Sequence, residues 1–124
     1  MTYLIIALGQ NDAGTIRIGR DVSAESWKNH YKQLITDLRT QYPDSYFIGM
    51  FPNMYHDRDW DHYIVEAIAE YRIEHDDNRV FSLIHEQVTP GHPRISEQRQ
   101  MADTLKEFID TTLTDNGFNW DVAN

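Results

Sequence analysis

The chain has no cysteine among its 124 residues, which excludes disulfide bonds, thiolate metal sites and a cysteine nucleophile. The absence fits a reducing compartment, so the cytoplasm is the default location, with secretion open if a further N-terminal segment exists. The first residues, Met1–Leu8, are apolar but lack the basic residues of a signal peptide. No apolar run approaches the ~20 residues of a membrane span.

Basic residues are also scarce. Lys and Arg together number 11 against 20 Asp and Glu, which gives a net charge of −9. Binding to nucleic-acid phosphates or to anionic lipid needs clustered Lys and Arg, and the sequence has no such cluster. We therefore expect neither nucleic acid nor a membrane as a partner.

Short apolar runs alternate with helical periodicity along the chain. Three apolar runs bordered by turn residues predict strands buried on both faces, as in a parallel sheet; they span 3–8, 46–51 and 80–84. Apolar residues with a 3.6-residue period predict helices between and after the strands, at 24–41, 60–74 and 96–114.

The helix ends carry their own signals. Ser23 and Asp59 are candidate N-caps, and Asn116-Gly117 is typical of a left-handed helix end. The order βαβαβα predicts a parallel sheet with right-handed crossovers and helices on its faces. We predict one α/β domain over 1–117 and a C-terminal tail over 118–124.

In open α/β sheets, functional groups lie in the loops that follow the carboxyl ends of the strands. The first such loop contains Gly9-Gln10-Asn11-Asp12. The Asn11 amide can donate a hydrogen bond to a developing oxyanion, and Asp12 can tie the loop to backbone N–H groups. The alternative is a simple turn that leaves the strand.

Histidines follow the third predicted strand. His92 lies between Gly91 and Pro93 before the last helix, and its imidazole can act as a general base and acid near neutral pH; the alternative is a surface histidine. His85 and Glu86 directly after the strand are either polar strand-end residues or a pair that orients another imidazole. His30 and His75 are predicted to be surface residues.

The segment from His56 to His62 holds two His and three Asp in seven residues. A metal-dependent hydrolase is the weaker interpretation, because the spacing matches no recognised metal site and acidic residues are expected in a first helical turn. A substrate-contacting loop is favoured, with Tyr55 or Trp60 as a stacking surface for a sugar or acyl group. Trp60 also fits the apolar stripe of its helix. We expect no metal and no cofactor.

Two of these loops resemble blocks of the SGNH (GDSL-type) hydrolase superfamily. Ile5–Asp12 resembles its strand-Gly-x-Asn-Asp block, and His92-Pro93 with the helix that follows resembles its last block. Within this superfamily, the sequence is most similar to the carbohydrate O-deacetylases of carbohydrate esterase family two. The residues that carry this similarity are Trp27, Tyr31, Tyr42-Pro43, Gln98 and Met101-Ala102-Asp103. The resemblance runs from Tyr3 to about Leu113.

The resemblance implies a flavodoxin-like three-layer α/β/α sandwich and ester hydrolysis through an acyl-enzyme. Asn11 then matches the family's oxyanion donor and His92 its catalytic histidine. The family's Gly-Asp-Ser nucleophile block, which precedes the Asn block, has no counterpart in this chain. Thr89 stands where the family usually has the acid, and Gln10 where Thr or Ser is commoner. The chain therefore resembles the C-terminal part of such an enzyme, without the first strands.

Two functions follow as alternatives. One is an SGNH-type carbohydrate acetyl esterase, or the His-and-Asn portion of one, acting on a small-molecule or carbohydrate ester. The other is a non-catalytic binding or interaction module with the same fold. In either case Tyr3–Leu8 is predicted to lie at a sheet edge, covered in a homodimer or by an N-terminal segment.

Overall fold

The computed structural model describes residues 3–7, 24–50, 59–85 and 95–119. Within these ranges the elements alternate as predicted: β1 (Tyr3–Ile6), α1 (Ala24–Gln41), β2 (Tyr46–Met50), α2 (Asp59–His75), β3 (Val80–Leu83) and α3 (Ile95–Phe108), which continues as a π-helical turn (Ile109–Leu113). The described part of the chain contains no helix that is both long and apolar enough to span a membrane.

The three described strands form one parallel sheet in the order β1-β2-β3. In β1, Ile5 lies opposite Ile48 of β2, and in β3, Phe81 lies opposite the same residue from the other side. The predicted parallel pairing of β1 with β2 is confirmed.

The side chains of the sheet divide between two cores, one on each face. The first core joins Ile6, Phe47 and Val80 to the buried faces of α1 and α2. The second core joins Tyr46 and Ile48 to the π-helical turn and Phe118. Because successive side chains of a strand point to opposite faces, helices cover both faces of the sheet, and the fold is a three-layer α/β/α sandwich.

The apolar stripe of α1 explains how this helix packs. Trp27, Tyr31 and Ile35 are its buried residues, spaced four apart along one face. The predicted span of this helix is confirmed at both ends. On its flank toward α2, Lys28 pairs with Glu66 and Glu70, and Lys32 pairs with Glu74.

Burial on both faces is confirmed only for β2, in which all five residues are buried. In β1, Ile5 is 41% exposed, and in β3 only Val80 is fully buried. The prediction of full burial is wrong for these two strands because each has only β2 as a partner within the described residues. An edge strand receives side-chain cover from one neighbour instead of two.

The C-terminal end of the last helix differs from its prediction in two respects. The helix widens to a π-helical turn at Ile109–Leu113, and the residues at the two ends of this turn are buried. The predicted left-handed stop is confirmed at Gly117, with φ +99°. Phe118, which the sequence analysis assigns to the tail, is only 3% exposed and meets Tyr3 and Tyr46 edge to face. The packed chain thus extends past residue 117.

Candidate functional site

The carboxyl edge of the sheet is where the sequence predicts the site. The three parallel strands reach this edge at Ile6, Met50 and Leu83. Most of the predicted site residues belong to the segments that follow these strands, outside the described residues. They are Gln10, Asn11, Asp12, Tyr55 and His92. Trp60 lies in the first turn of α2, and its side chain is also outside the described part.

The spacing of the strands sets the width of this edge. β1 and β3 flank β2, and neighbouring strands lie about 4.8 Å apart. The segment containing Asn11 and the segment containing His92 therefore start about 10 Å apart, from the same edge of the sheet.

One buried hydroxyl lies under β2 close to this edge. The Tyr31 side chain is buried, stacks on Trp27 with ring centroids 5.0 Å apart, and directs its Oη atom toward Gly49. The hydroxyl has no hydrogen-bond partner among the described residues. Burial raises the pKa of Tyr31 well above its ordinary value, so the group stays a neutral donor. The sequence marks Tyr31 only as one member of an apolar stripe.

His85 lies at this edge, directly after β3. It follows β3 by two residues and is buried, with 8% exposure. A buried strand-end imidazole differs from His30 and His75, which are exposed as predicted. The ring of His75 stacks on Tyr71 with centroids 4.4 Å apart.

Most of the His56–His62 segment lies outside the described residues. His62 itself is exposed on α2. In the ranges that the structure covers, no group of three or more His, Asp or Glu side chains could hold a metal ion.

A polar cavity of about 470 Å³ lies at the opposite edge, before β2 and β3. Its charged groups bind one another. The Arg39 guanidinium donates to both Asp77 carboxylate oxygens, at 2.9 and 3.3 Å, and to the Ser45 carbonyl at 2.6 Å. The Tyr71 hydroxyl also donates to Asp77. These contacts join α1, α2 and the starts of two strands.

The Asp77 carboxylate is electrostatically stabilised there. Burial on its own raises the pKa of Asp77, but the hydrogen bond from the Arg79 N–H and the hydrogen bond and charge of Arg39 outweigh it and hold the pKa below its ordinary value. Burial, followed by the nearby Asp77 charge, raises the pKa of Tyr71. The geometry is that of a structural ion pair, because the guanidinium also binds the Tyr42 and Pro43 carbonyls.

The fold is similar to part of two solved carbohydrate esterases. It is similar to a family two carbohydrate esterase from Clostridium thermocellum solved in complex with cellohexaose, with TM-score 0.78 and 23% identity over 91% of this chain and 36% of that chain. A family two carbohydrate esterase from Cellvibrio japonicus matches with TM-score 0.64 and 22% identity, over 87% of this chain and 33% of that one.

The chain spans about a third of the length of these esterases. No protein-family model matches it, and no curated protein matches it significantly. At this level of identity the similarity establishes the fold.

Proposed function

We propose that the chain is the portion of an SGNH-type carbohydrate O-acetyl esterase that carries the oxyanion donor and the catalytic histidine. The observation that carries the proposal is the fold match to family two carbohydrate esterases over nine-tenths of the chain. The order of the sequence blocks supports it, because the Asn11 segment follows β1 and the His92 segment follows β3, at one edge of a parallel sheet.

The two residues have complementary roles in ester hydrolysis. His92 removes the proton from the attacking hydroxyl and returns it to the leaving alcohol. The Asn11 amide donates a hydrogen bond to the carbonyl oxygen as it becomes an oxyanion. The substrate is an acetylated sugar or a related small ester. The residues that contact it are Gln10, Asp12, Tyr55 and Trp60.

The serine nucleophile has no counterpart at its family position in this chain. In a well-studied serine hydrolase, loss of a triad member leaves only about 10³–10⁴-fold acceleration over water. The 124-residue chain alone should therefore bind a carbohydrate ester without turning it over substantially. The outer edge of β1 is then covered by a second copy or by an N-terminal segment that supplies the serine.

Two measurements on the purified chain test the function. Hydrolysis of 4-nitrophenyl acetate should stay near background. Cellohexaose, with which the similar Clostridium thermocellum esterase was solved, is the binding probe. Amide chemical shifts should change for residues that follow β1 and β3 and should change less in Asn11→Ala and His92→Ala.

The matched controls are Asn29→Ala and His30→Ala, because both side chains are exposed on α1. Both controls should show the same cellohexaose-induced changes in amide chemical shift as the unmodified chain. Shift changes confined to the amino edge near Asp77 would contradict the proposed site. Robust hydrolysis abolished by His92→Ala would show that a serine of this chain acts as the nucleophile.

A further inference from the structure

The last helix ends in a hydrogen-bonded cap that contains the dipeptide Asn116-Gly117. The Gly117 N–H donates to the Thr114 carbonyl at 3.1 Å, and the Phe118 N–H donates to the Leu113 carbonyl at 2.9 Å. These two hydrogen bonds, together with the positive φ of Gly117, are those of a Schellman motif. Its apolar contact joins Leu113 and Phe118, which belong to one buried cluster.

Side chains fasten this cap to its own helix and to the sheet. The Asn116 amide donates from Nδ2 to the Thr112 carbonyl at 2.7 Å. The Tyr46 hydroxyl donates to the Asn116 carbonyl at 3.1 Å. The buried ring of Phe118 meets Tyr3 and Tyr46 edge to face. The cap therefore holds the end of the last helix against the starts of β1 and β2.

Asn116-Gly117 is also a chemically reactive pair. Glycine has no side chain to hinder attack by its own nitrogen on the preceding side chain. Once solvent hydroxide has taken the Gly117 amide proton, the nitrogen bonds to Cγ of Asn116. The Cγ–Nδ2 bond then breaks, and the nitrogen leaves as ammonia after taking a proton from water. A second water opens the cyclic succinimide, at Cγ to give aspartate or at the backbone carbonyl to give isoaspartate.

The cap engages both reacting groups. The attacking N–H of Gly117 is directed to the Thr114 carbonyl, and the leaving amide of Asn116 is held on the Thr112 carbonyl. Ring closure requires the nitrogen to leave the first acceptor and the Asn116 side chain to rotate away from the second. Asn116 and Gly117 are exposed, so hydroxide and water reach the pair when the cap opens.

We propose that Asn116 is a deamidation site that the folded cap restrains, and that the reaction, once it occurs, releases the end of the last helix. Aspartate at this position lacks the amide that donates to Thr112, and it places a negative charge at a helix C-terminus, which the helix dipole disfavours. Isoaspartate adds one carbon atom to the main chain and shifts Phe118 away from Leu113. The loss of ammonia to solvent makes the change irreversible.

Peptide mapping by mass spectrometry over a time course tests the site. In mildly alkaline buffer the peptide that contains Asn116 should gain the mass difference between a hydroxyl and an amino group. The rate should be at least about tenfold lower than in concentrated urea, which corresponds to an opening free energy of about 1.4 kcal/mol. The peptides that contain Asn29 and Asn78 are internal references, because His30 and Arg79 follow them, and should stay largely unmodified in both conditions.

A pair of tyrosine variants separates opening of the cap from general loss of stability. Tyr46→Phe removes one hydrogen bond from the cap and should speed deamidation in buffer by about 2- to 10-fold. Tyr71→Phe is the matched control, because Tyr71 is similarly buried and its hydroxyl donates at 3.2 Å to Asp77, in the core on the other face of the sheet. This variant should leave the rate unchanged.

The consequence of the reaction is tested with a variant that carries one product. Asn116→Asp should lower the midpoint of thermal unfolding by about 2–6 °C, whereas Asn29→Asp, at an exposed position on α1, should not. Equal rates in buffer and in urea, no reaction in urea, or equal acceleration by Tyr46→Phe and Tyr71→Phe would overturn the restrained site. An unchanged midpoint for Asn116→Asp together with an unchanged midpoint for the isolated isoaspartate product would overturn the release.

Discussion

Gly49 is a position where the lack of a side chain determines how closely a helix approaches the sheet. A Cβ atom there would collide with the Tyr31 hydroxyl and lie 2.7 Å from Cδ1 of Ile68. The glycine therefore allows Tyr31 to pass beneath β2 near the carboxyl edge. The sequence shows a glycine inside an apolar run, but the reason for it lies in a residue 18 positions earlier.

Gly49→Ala should lower the free energy of unfolding by about 1–3 kcal/mol, because it overpacks a filled core. In a Tyr31→Phe background the same change should cost less, since the nearest atom is gone. Urea denaturation of the two single variants and the double variant measures this coupling. Equal costs in both backgrounds would show that Tyr31 does not approach Gly49.

Asp77 offers a second prediction at the residue scale, for which Asp44 is the control. The Asp77 side chain is 12% exposed in its pair with Arg39, whereas that of Asp44 is 95% exposed in its pair with Arg79. Asp77→Asn should lower the free energy of unfolding at pH 7 by about 1.5–3 kcal/mol, as for other hydrogen bonds to charged groups. Asp44→Asn should change it by less than about 0.5 kcal/mol.

The pH dependence of this effect follows from the direction of the pKa shift. The folded-state pKa of Asp77 is lowered, so its contribution is complete above the unfolded value of about 3.9. The contribution is lost as the pH falls through the lower folded value, when the folded carboxylate takes up a proton. The stability difference between the unmodified chain and Asp77→Asn should therefore shrink below pH ~4. A difference that stays constant down to pH ~2 would contradict the assigned ion pair.

Among the elements, the last helix shows what a hydrophobic periodicity can predict and what it cannot. Its apolar residues predict a helix to about residue 114, and the structure has one, but Leu105 and Phe108 are only partly buried while Ile109 and Leu113 are fully buried. The wider π-helical turn from Ile109 to Leu113 depends on the surface of β2 that these two residues contact. A periodicity of 3.6 residues contains no information about that surface.

The packing of Phe118 beyond this helix can be tested by truncating its ring. Phe118→Ala removes a buried aromatic side chain from Tyr3 and Tyr46 and should lower the free energy of unfolding by about 3–5 kcal/mol. Ile73→Ala, at an exposed position, should cost less than about 0.5 kcal/mol. Thermal unfolding with a circular dichroism readout compares the two. If Phe118→Ala leaves the free energy of unfolding nearly unchanged, Phe118 does not pack against the domain and belongs to the tail.

At the scale of the whole molecule, the sequence predicts the α/β class, the element order and the parallel pairing. Apolar runs and helical stripes report which residues are buried, and their alternation limits the topologies that are possible. The same runs do not report which strands are neighbours. β1 and β2 therefore look alike in sequence, although among the described strands only β2 has a neighbour on each side. The Arg39–Asp77 pair was also not predictable, because 38 residues separate its members.

The candidate site remains a set of predictions at this scale. Asn11 and His92 rest on two sequence blocks and on the strand ends from which their segments leave. The distance between the two residues depends on tertiary contacts of 8–23 and 86–94, and no local sequence pattern specifies those contacts.

Arg72 of α2 donates a hydrogen bond from Nη1 to the Val80 carbonyl at 2.6 Å, on the side of β3 that faces away from β2. In polymer chemistry, a monomer with two reactive ends grows into a fibre, whereas a monomer with one reactive end stops after a single coupling step. Because the guanidinium of Arg72 occupies the Val80 carbonyl, the outer edge of β3 is end-capped and resists the addition of a further strand. Removing that cap, as in Arg72→Ala, should make this edge available for strand addition and favour association.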